Sequence, residues 1–233
     1  MNRRNLILAA ACAPLAGCDV LGTNTARVRF KVTARAALGW DEYEGFAVNE
    51  MVAHYTPHTL SGFRMARRLK MEATVVDFGG KADALFVLLT DYLPAILTIW
   101  DIPGPGNADK STIPRLKKAN GVRKFPRRVV GRPDLPYPYY PHIAAFHDEA
   151  EPMSVYQVDP DDLAKTHGVN ARFLGLSIEI VDPKTPIANS LQKRLSWLKM
   201  DSNRSLIQPR AYLTDETAEL GRRITPNAFK SSL

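Results

Sequence analysis

Arg27-Val28-Arg29-Phe30-Lys31-Val32-Thr33-Ala34-Arg35 alternates without a break: Val28, Phe30, Val32 and Ala34 fall on one side, and Arg27, Arg29, Lys31, Thr33 and Arg35 on the other. A period of two sends successive side chains to opposite faces of an extended chain. The stretch therefore predicts a strand with one face in a core and the other in water.

Downstream the pattern repeats in weaker form. Gly39–Tyr43 predicts a turn, and Phe46–Tyr55 a less regular strand ending at Thr56-Pro57. Leu69, Met71, Ala73 and Val75 alternate with Lys70, Glu72 and Thr74, and Gly79-Gly80 then leads into the continuous apolar run Ala84–Leu89. That arrangement predicts a hairpin whose second strand is the more deeply buried. Asp91 predicts the cap of a helix through Trp100, with Leu93, Ile96, Leu97 and Trp100 on one side. Pro103-Gly104-Pro105-Gly106 ends it.

After an irregular stretch, His142–His147 and Ser154–Val158 read as strands. Asp159-Pro160-Asp161-Asp162 reads as a helix start, with Gly168 as its stop. Leu174, Leu176, Ile178 and Ile180 predict one face of a long strand. Thr185-Pro186 predicts a helix with Ile187, Leu191, Leu195 and Leu198 on one stripe. The expected fold is α+β: a mainly antiparallel sheet, two-layered, carrying three or four short helices. Trp40, Trp100 and Trp197 are expected in or at the edge of the core. Residues 26–200 form a single strand-rich domain with a basic, Pro-rich insertion at 103–141, and 201–233 is a polar extension with a short helix at Asp215–Arg223.

The N-terminal residues carry a different kind of signal. Asn2-Arg3-Arg4 supplies positive charge, Leu6–Leu15 is apolar but too short to span a bilayer, and Leu15-Ala16-Gly17-Cys18 closes it. This is the layout of a secretory signal. Its ending resembles the lipobox of bacterial lipoproteins. The resemblance implies cleavage between Gly17 and Cys18, a diacylglycerol thioether on Cys18 and acylation of the new amine. Residues 1–17 would then be the signal and 18–25 a tether. Several acyl chains on one residue give stable anchoring without a span. Asp19 resembles the inner-membrane retention mark of enterobacterial lipoproteins, so the expected place is the periplasmic face of the inner membrane. A second likeness lies in Ser154–Ala164, Ile178–Asp182 and Leu195–Leu198. These blocks resemble a family of uncharacterised proteobacterial proteins over roughly Phe146–Leu198. It implies a compact strand-rich domain and no catalytic residue.

The chain has 233 residues and a net charge of +7; loss of the signal leaves 216 residues and a charge near +5. On an exported protein such a balance points to anionic lipid or an envelope partner rather than nucleic acid. Cys12 leaves with the signal and Cys18 takes lipid, so the remaining body holds no disulfide, thiol nucleophile or cysteine-ligated metal.

Arg115, Lys117, Lys118, Arg123, Lys124, Arg127, Arg128 and Arg132 lie within a run that contains no acid. They form the candidate anionic-surface site, each residue near a membrane contributing about 1 kcal/mol. Tyr137, Tyr139 and Tyr140 follow, set among prolines. Their rings are expected to cover the neighbouring strand or to meet a headgroup or partner.

Five histidines stand at 54, 58, 142, 147 and 167. His54 and His58 with His147-Asp148 would make a His/His/Asp metal site if their strands were neighbours. Pro57 spoils the helical geometry that makes a spacing of four diagnostic, and scattered surface or core histidines are expected. A nucleophile elbow, a zinc helix motif and a phosphate-binding glycine loop are absent from the sequence. No catalytic residue, metal ligand or cofactor is assigned. The expected role is a non-catalytic binding or structural module. The competing reading is a lipid-anchored hydrolase or metal-dependent enzyme built on His142, His147 and Asp148.

Overall fold

The computed structural model describes residues 25–55, 63–104, 107–129, 131–187, 190–199, 206 and 224–232, with backbone alone for 63–69, 133, 199 and 232. Cys18, Asp19, His58 and the helix expected at 215–223 lie outside the described residues.

The alternating stretch is the middle of β1 (Thr25–Leu38). It pairs antiparallel along its whole length with β2 (Asp41–Tyr55), from Thr25 opposite His54 to Leu38 opposite Asp41. The two-residue connection needs Gly39, whose φ is 62°. Trp40 beside it is 97% exposed, so it caps a hairpin tip rather than a core. The other side of β1 pairs with β11 (Ala171–Ile180), which in turn pairs with β6 (Gly121–Phe125). Beyond β2 come β3 (Phe63–Glu72) and β12 (Lys230–Ser232), which complete a six-stranded antiparallel sheet.

Ala73 ends the third strand's membership of that sheet. β4 (Thr74–Val76) pairs instead with β5 (Leu85–Val87), then β9 (Ile143–Phe146) and β10 (Val155–Val158), in a second, four-stranded sheet. Between the sheets lies the first core. Val28, Phe30, Val32 and Ala34 meet Val76, Leu85, Val87, Ile143 and Ala145 there. Phe86, Ala144 and Phe146 point the other way, into a second core with Leu191, Leu195, Trp197, Leu206, Ile224 and Phe229. The apolar run 84–89 is therefore continuous because both of its faces are covered.

Five short α-helices appear among the described residues, where three or four were expected: α1 (Tyr92–Ile99), α2 (Thr112–Lys118), α3 (Ala164–His167), α4 (Leu191–Arg194) and α5 (Pro226–Phe229). The helix read from Asp159 begins only at Ala164, because Asp159 Oδ1 accepts from the Asp161 N–H in a tight turn. The helix read from Thr185 shrinks to α4 and a 3₁₀ turn at Ser196–Lys199, since Asp182 accepts from the Lys184 and Thr185 N–H groups in a tight turn and Arg29 Nη1 donates to the Thr185 carbonyl.

Three other expectations change. The inward face of β11 is Ala171 and Phe173, then Leu176 and Ile178, not Leu174. A bulge opposite Arg35 and Ala36 adds one residue and flips the parity, and Gly175 takes a φ of 131°. The stretch 107–141, read as irregular, holds regular elements. It contributes α2, the edge strand β6 and core side chains Ile113, Leu116, Phe125 and Tyr137. Within 201–233, the described residues 224–232 reach the core: Phe229 packs on Phe86, Phe146 and Trp197 at ring-centre distances of 5.9, 5.5 and 5.7 Å, and β12 pairs with β3 at a sheet edge.

At Gly45 the two sheets leave no room for a side chain. A Cβ there would overlap the Val75 carbonyl oxygen of β4. Gly45→Ala is expected to cost about 3 kcal/mol in urea denaturation, through overlap with backbone that cannot move aside. Phe229→Ala should cost about 3–5 kcal/mol by the same measurement, as loss of a fully buried ring does. A cost below about 1 kcal/mol would return residues 224–232 to the status of an appendage.

Candidate functional site

Residue 125 ends β6 inside the core, and the chain then makes a two-stranded arm, β7 (Arg128–Val129) with β8 (Arg132–Pro136). The arm returns to Tyr137, whose N–H donates to the Arg127 carbonyl at 2.8 Å. Between this arm and the free edge of β10 lies a cavity of about 400 Å³. Arg127, Arg128, Tyr137, Tyr140, His142, Gln157, Asp159 and Asp161 line it, with Pro136, Pro138, Pro141, Pro160, Ile143 and Val158 between them. A few polar groups set among apolar walls, at this volume, is the general form of a small-molecule site.

Asp161 organises the polar side. Arg127 Nη1 donates to its Oδ1 at 2.6 Å and Arg128 Nη2 to its Oδ2 at 2.7 Å, so one carboxylate bridges two guanidinium groups. Arg127 also donates from Nη2 to the Phe173 carbonyl at 2.8 Å and lies 5.3 Å from the Phe173 ring centre. The tyrosines form the apolar side. Phe125 stands edge-on to Tyr137 at 5.9 Å and to Tyr140 at 5.8 Å. Their hydroxyls are buried near Thr98 and Arg127 without a hydrogen bond of normal geometry. Burial raises both phenol pKa values, at Tyr140 against the opposing pull of Arg127, so both stay protonated.

The eight basic residues read from the sequence are spread over α2, β6 and the arm, and three of them are paired with acids. Arg127 and Arg128 are bound to Asp161, and Arg132 pairs with Asp134 at 3.0 Å. Arg115 sits on α2 and donates to the Asp101 carbonyl. Lys117 and Lys118 end α2, while Arg123 and Lys124 project from the edge strand β6. Lys118, Arg123 and Lys124 have no acid partner among the described residues. Asp161 was read as part of a helix start, and no local signal marks it as the counter-ion of residues more than thirty positions earlier.

His142 and His147 flank opposite ends of β9, about 16 Å apart at strand spacing, so they do not converge with Asp148. Among the described residues no three His, Cys, Asp or Glu groups are placed to hold a metal. His54 meets the Thr25 hydroxyl at 3.3 Å, on the six-stranded sheet. His147 belongs to a separate cluster that the sequence did not reveal. Asp83 Oδ2 accepts from Tyr156 at 2.9 Å and lies 3.3 Å from His147 Nδ1, while His147 stacks on Tyr156 at 4.4 Å. His167 Nε2 reaches the Asp83 carbonyl at 3.0 Å, and its Nδ1 reaches the Thr166 hydroxyl at 2.8 Å. Burial depresses the His167 pKa, with the Asp83 carbonyl and charge opposing it less strongly. Burial also lifts the Tyr156 phenol well above its usual range, helped by its bond to Asp83.

No protein-family model, no curated protein and no solved structure matches this chain.

The folded state favours neutral His167, so its contribution to stability is complete above the ordinary value of 6.5 and is lost as pH falls from there through the lower folded value. Urea denaturation between about pH 7.5 and 5 should show a steeper acid loss for the native chain than for His167→Gln. Parallel slopes would remove this role.

Proposed function

We propose that the protein is a lipid-anchored, non-catalytic binding module at the periplasmic face of the inner membrane, and that its binding element is the cavity between the β7–β8 arm and β10. The single observation that supports binding is that cavity, about 400 Å³, with the Arg127–Asp161–Arg128 bridge on one side and tyrosines and prolines on the other. Leu15-Ala16-Gly17-Cys18 supports the anchor. Six residues separate Cys18 from Thr25, seven Cα steps with a reach of about 25 Å at full extension, which keeps the domain close to its bilayer.

At that distance Lys118, Arg123 and Lys124 are the basic residues best suited to anionic headgroups, each contributing about 1 kcal/mol when near the surface. The tether makes such weak contacts count, because it raises their effective concentration. No helix among the described residues is long and apolar enough to cross a membrane.

Cys18→Ala is expected to shift the protein from the membrane to the soluble fraction and to abolish incorporation of labelled palmitate. Unchanged fractionation and labelling would overturn the anchor.

A further inference from the structure

Most of the charge in the cavity is already committed. Arg127 uses Nη1 on Asp161 and Nη2 on the Phe173 carbonyl. Asp161 uses one oxygen on each arginine. What remains is one positive edge and one negative one. Arg128 donates only through Nη2, so its Nε and Nη1 have no partner among the described residues, and its side chain is about half exposed at 48%. Asp159 accepts the Asp161 N–H on Oδ1 at 2.8 Å, and its Oδ2 has no partner among the described residues. Both residues line the cavity, and Asp161 joins them: it is bonded to Arg128 through its side chain and to Asp159 through its N–H. The exposed Gln157 side chain adds an uncommitted amide on the same wall.

A plain anion would meet the spare guanidinium edge but also the Asp159 carboxylate. A plain cation would meet the reverse conflict. A molecule bearing both charges satisfies both groups, with charge-assisted bonds at each end. The walls between them offer tyrosine rings, prolines, Ile143 and Val158 to an apolar portion.

We infer that the cavity binds a small zwitterion, its oxyanion on Arg128 and its primary ammonium on Asp159, with an attached apolar group against the Tyr137–Tyr140 wall. This rests on the cavity being the binding element proposed above. The chemistry is shared by a free α-amino acid with an apolar side chain and by the headgroup of phosphatidylethanolamine. An Arg128 contact commits the oxyanion to carboxylate or phosphate geometry, which a guanidinium matches with paired donors.

The test is calorimetric titration of the full chain in detergent with L-leucine, L-phenylalanine, their N-acetyl and C-amide derivatives, and glycerophosphoethanolamine. A zwitterion should bind, and blocking either charge should weaken it on the order of tenfold. Asp159→Asn should weaken the zwitterion and remove the penalty for N-acetylation. Arg128→Gln should do the same for the amide. Tighter binding of glycerophosphoethanolamine assigns the headgroup as the source; tighter binding of leucine or phenylalanine assigns the free amino acid. Should a blocked derivative bind as tightly as its parent, or both variants bind like the native chain, the zwitterion assignment falls while a binding cavity stands. Silence from every probe overturns the assignment as well, and leaves the membrane anchor to be judged separately by the Cys18→Ala fractionation.

Discussion

At Gly45 the backbone of β2 lies against the Val75 carbonyl of β4, with no space for even one methyl group between them. Thr74 next to it donates from its hydroxyl to the Val32 carbonyl of β1 at 3.2 Å. These two contacts bring the four-stranded sheet down onto the six-stranded one at a point where side chains would hold it off. The rest of the layering follows. Phe78, Leu85 and Val87 can reach Phe30 and Val32, and the far faces of β5 and β9 are left needing cover. That cover comes from the end of the chain, through α4, Trp197, Leu206 and Phe229. Interiors are packed closely enough that shifting one layer by a methyl width would strain the next.

The cavity is a by-product of the same layering. Among the described residues β10 is the edge strand of the second sheet, with no strand paired to its outer side. The arm after β6 folds back toward that edge because Phe125 is anchored in the core and Tyr137 returns to it. Arg127 and Arg128 then bind the Asp159–Asp161 turn, which closes the gap without filling it. The ion pairs are half exposed, so each stabilises the fold only modestly. Their structural effect is to fix where the turn sits.

Much of the fold was legible in short-range pattern and much of it was not, for identifiable reasons. β1 could be read because its alternation is unbroken and one face is wet. β5 could be read as buried because both of its faces are covered. β11 misled because a single bulge residue moves the inward position before it from Leu174 to Phe173, and no period of two survives an insertion. The C-terminal residues misled because Leu206, Ile224 and Phe229 are isolated in polar sequence, and only tertiary contact makes them core. At the site, the arginines were visible and their partners were not. Asp134 lies just past the basic run, and Asp161 lies in a segment that reads equally well as a helix cap. Long-range pairing leaves no periodicity behind, so composition alone does not show that Arg127 and Arg128 are held by Asp161.

Charge placement, more than charge total, then decides what this protein can meet. At physiological ionic strength exposed charges act over about 8 Å, so the net +7 does not behave as one field. Each cation is governed by its nearest partner. Arg132 and Asp134 are both well exposed and gain little from each other. Arg127 is fastened to a carboxylate, a backbone carbonyl and an aromatic face, which makes it a clamp on the fold. Arg128, the next residue, is turned differently by the extended chain and keeps donors uncommitted. Two adjacent arginines thereby acquire separate duties, one holding the turn and one left able to receive a ligand. The carboxylate they share, Asp161, keeps the second in position without neutralising its free edge.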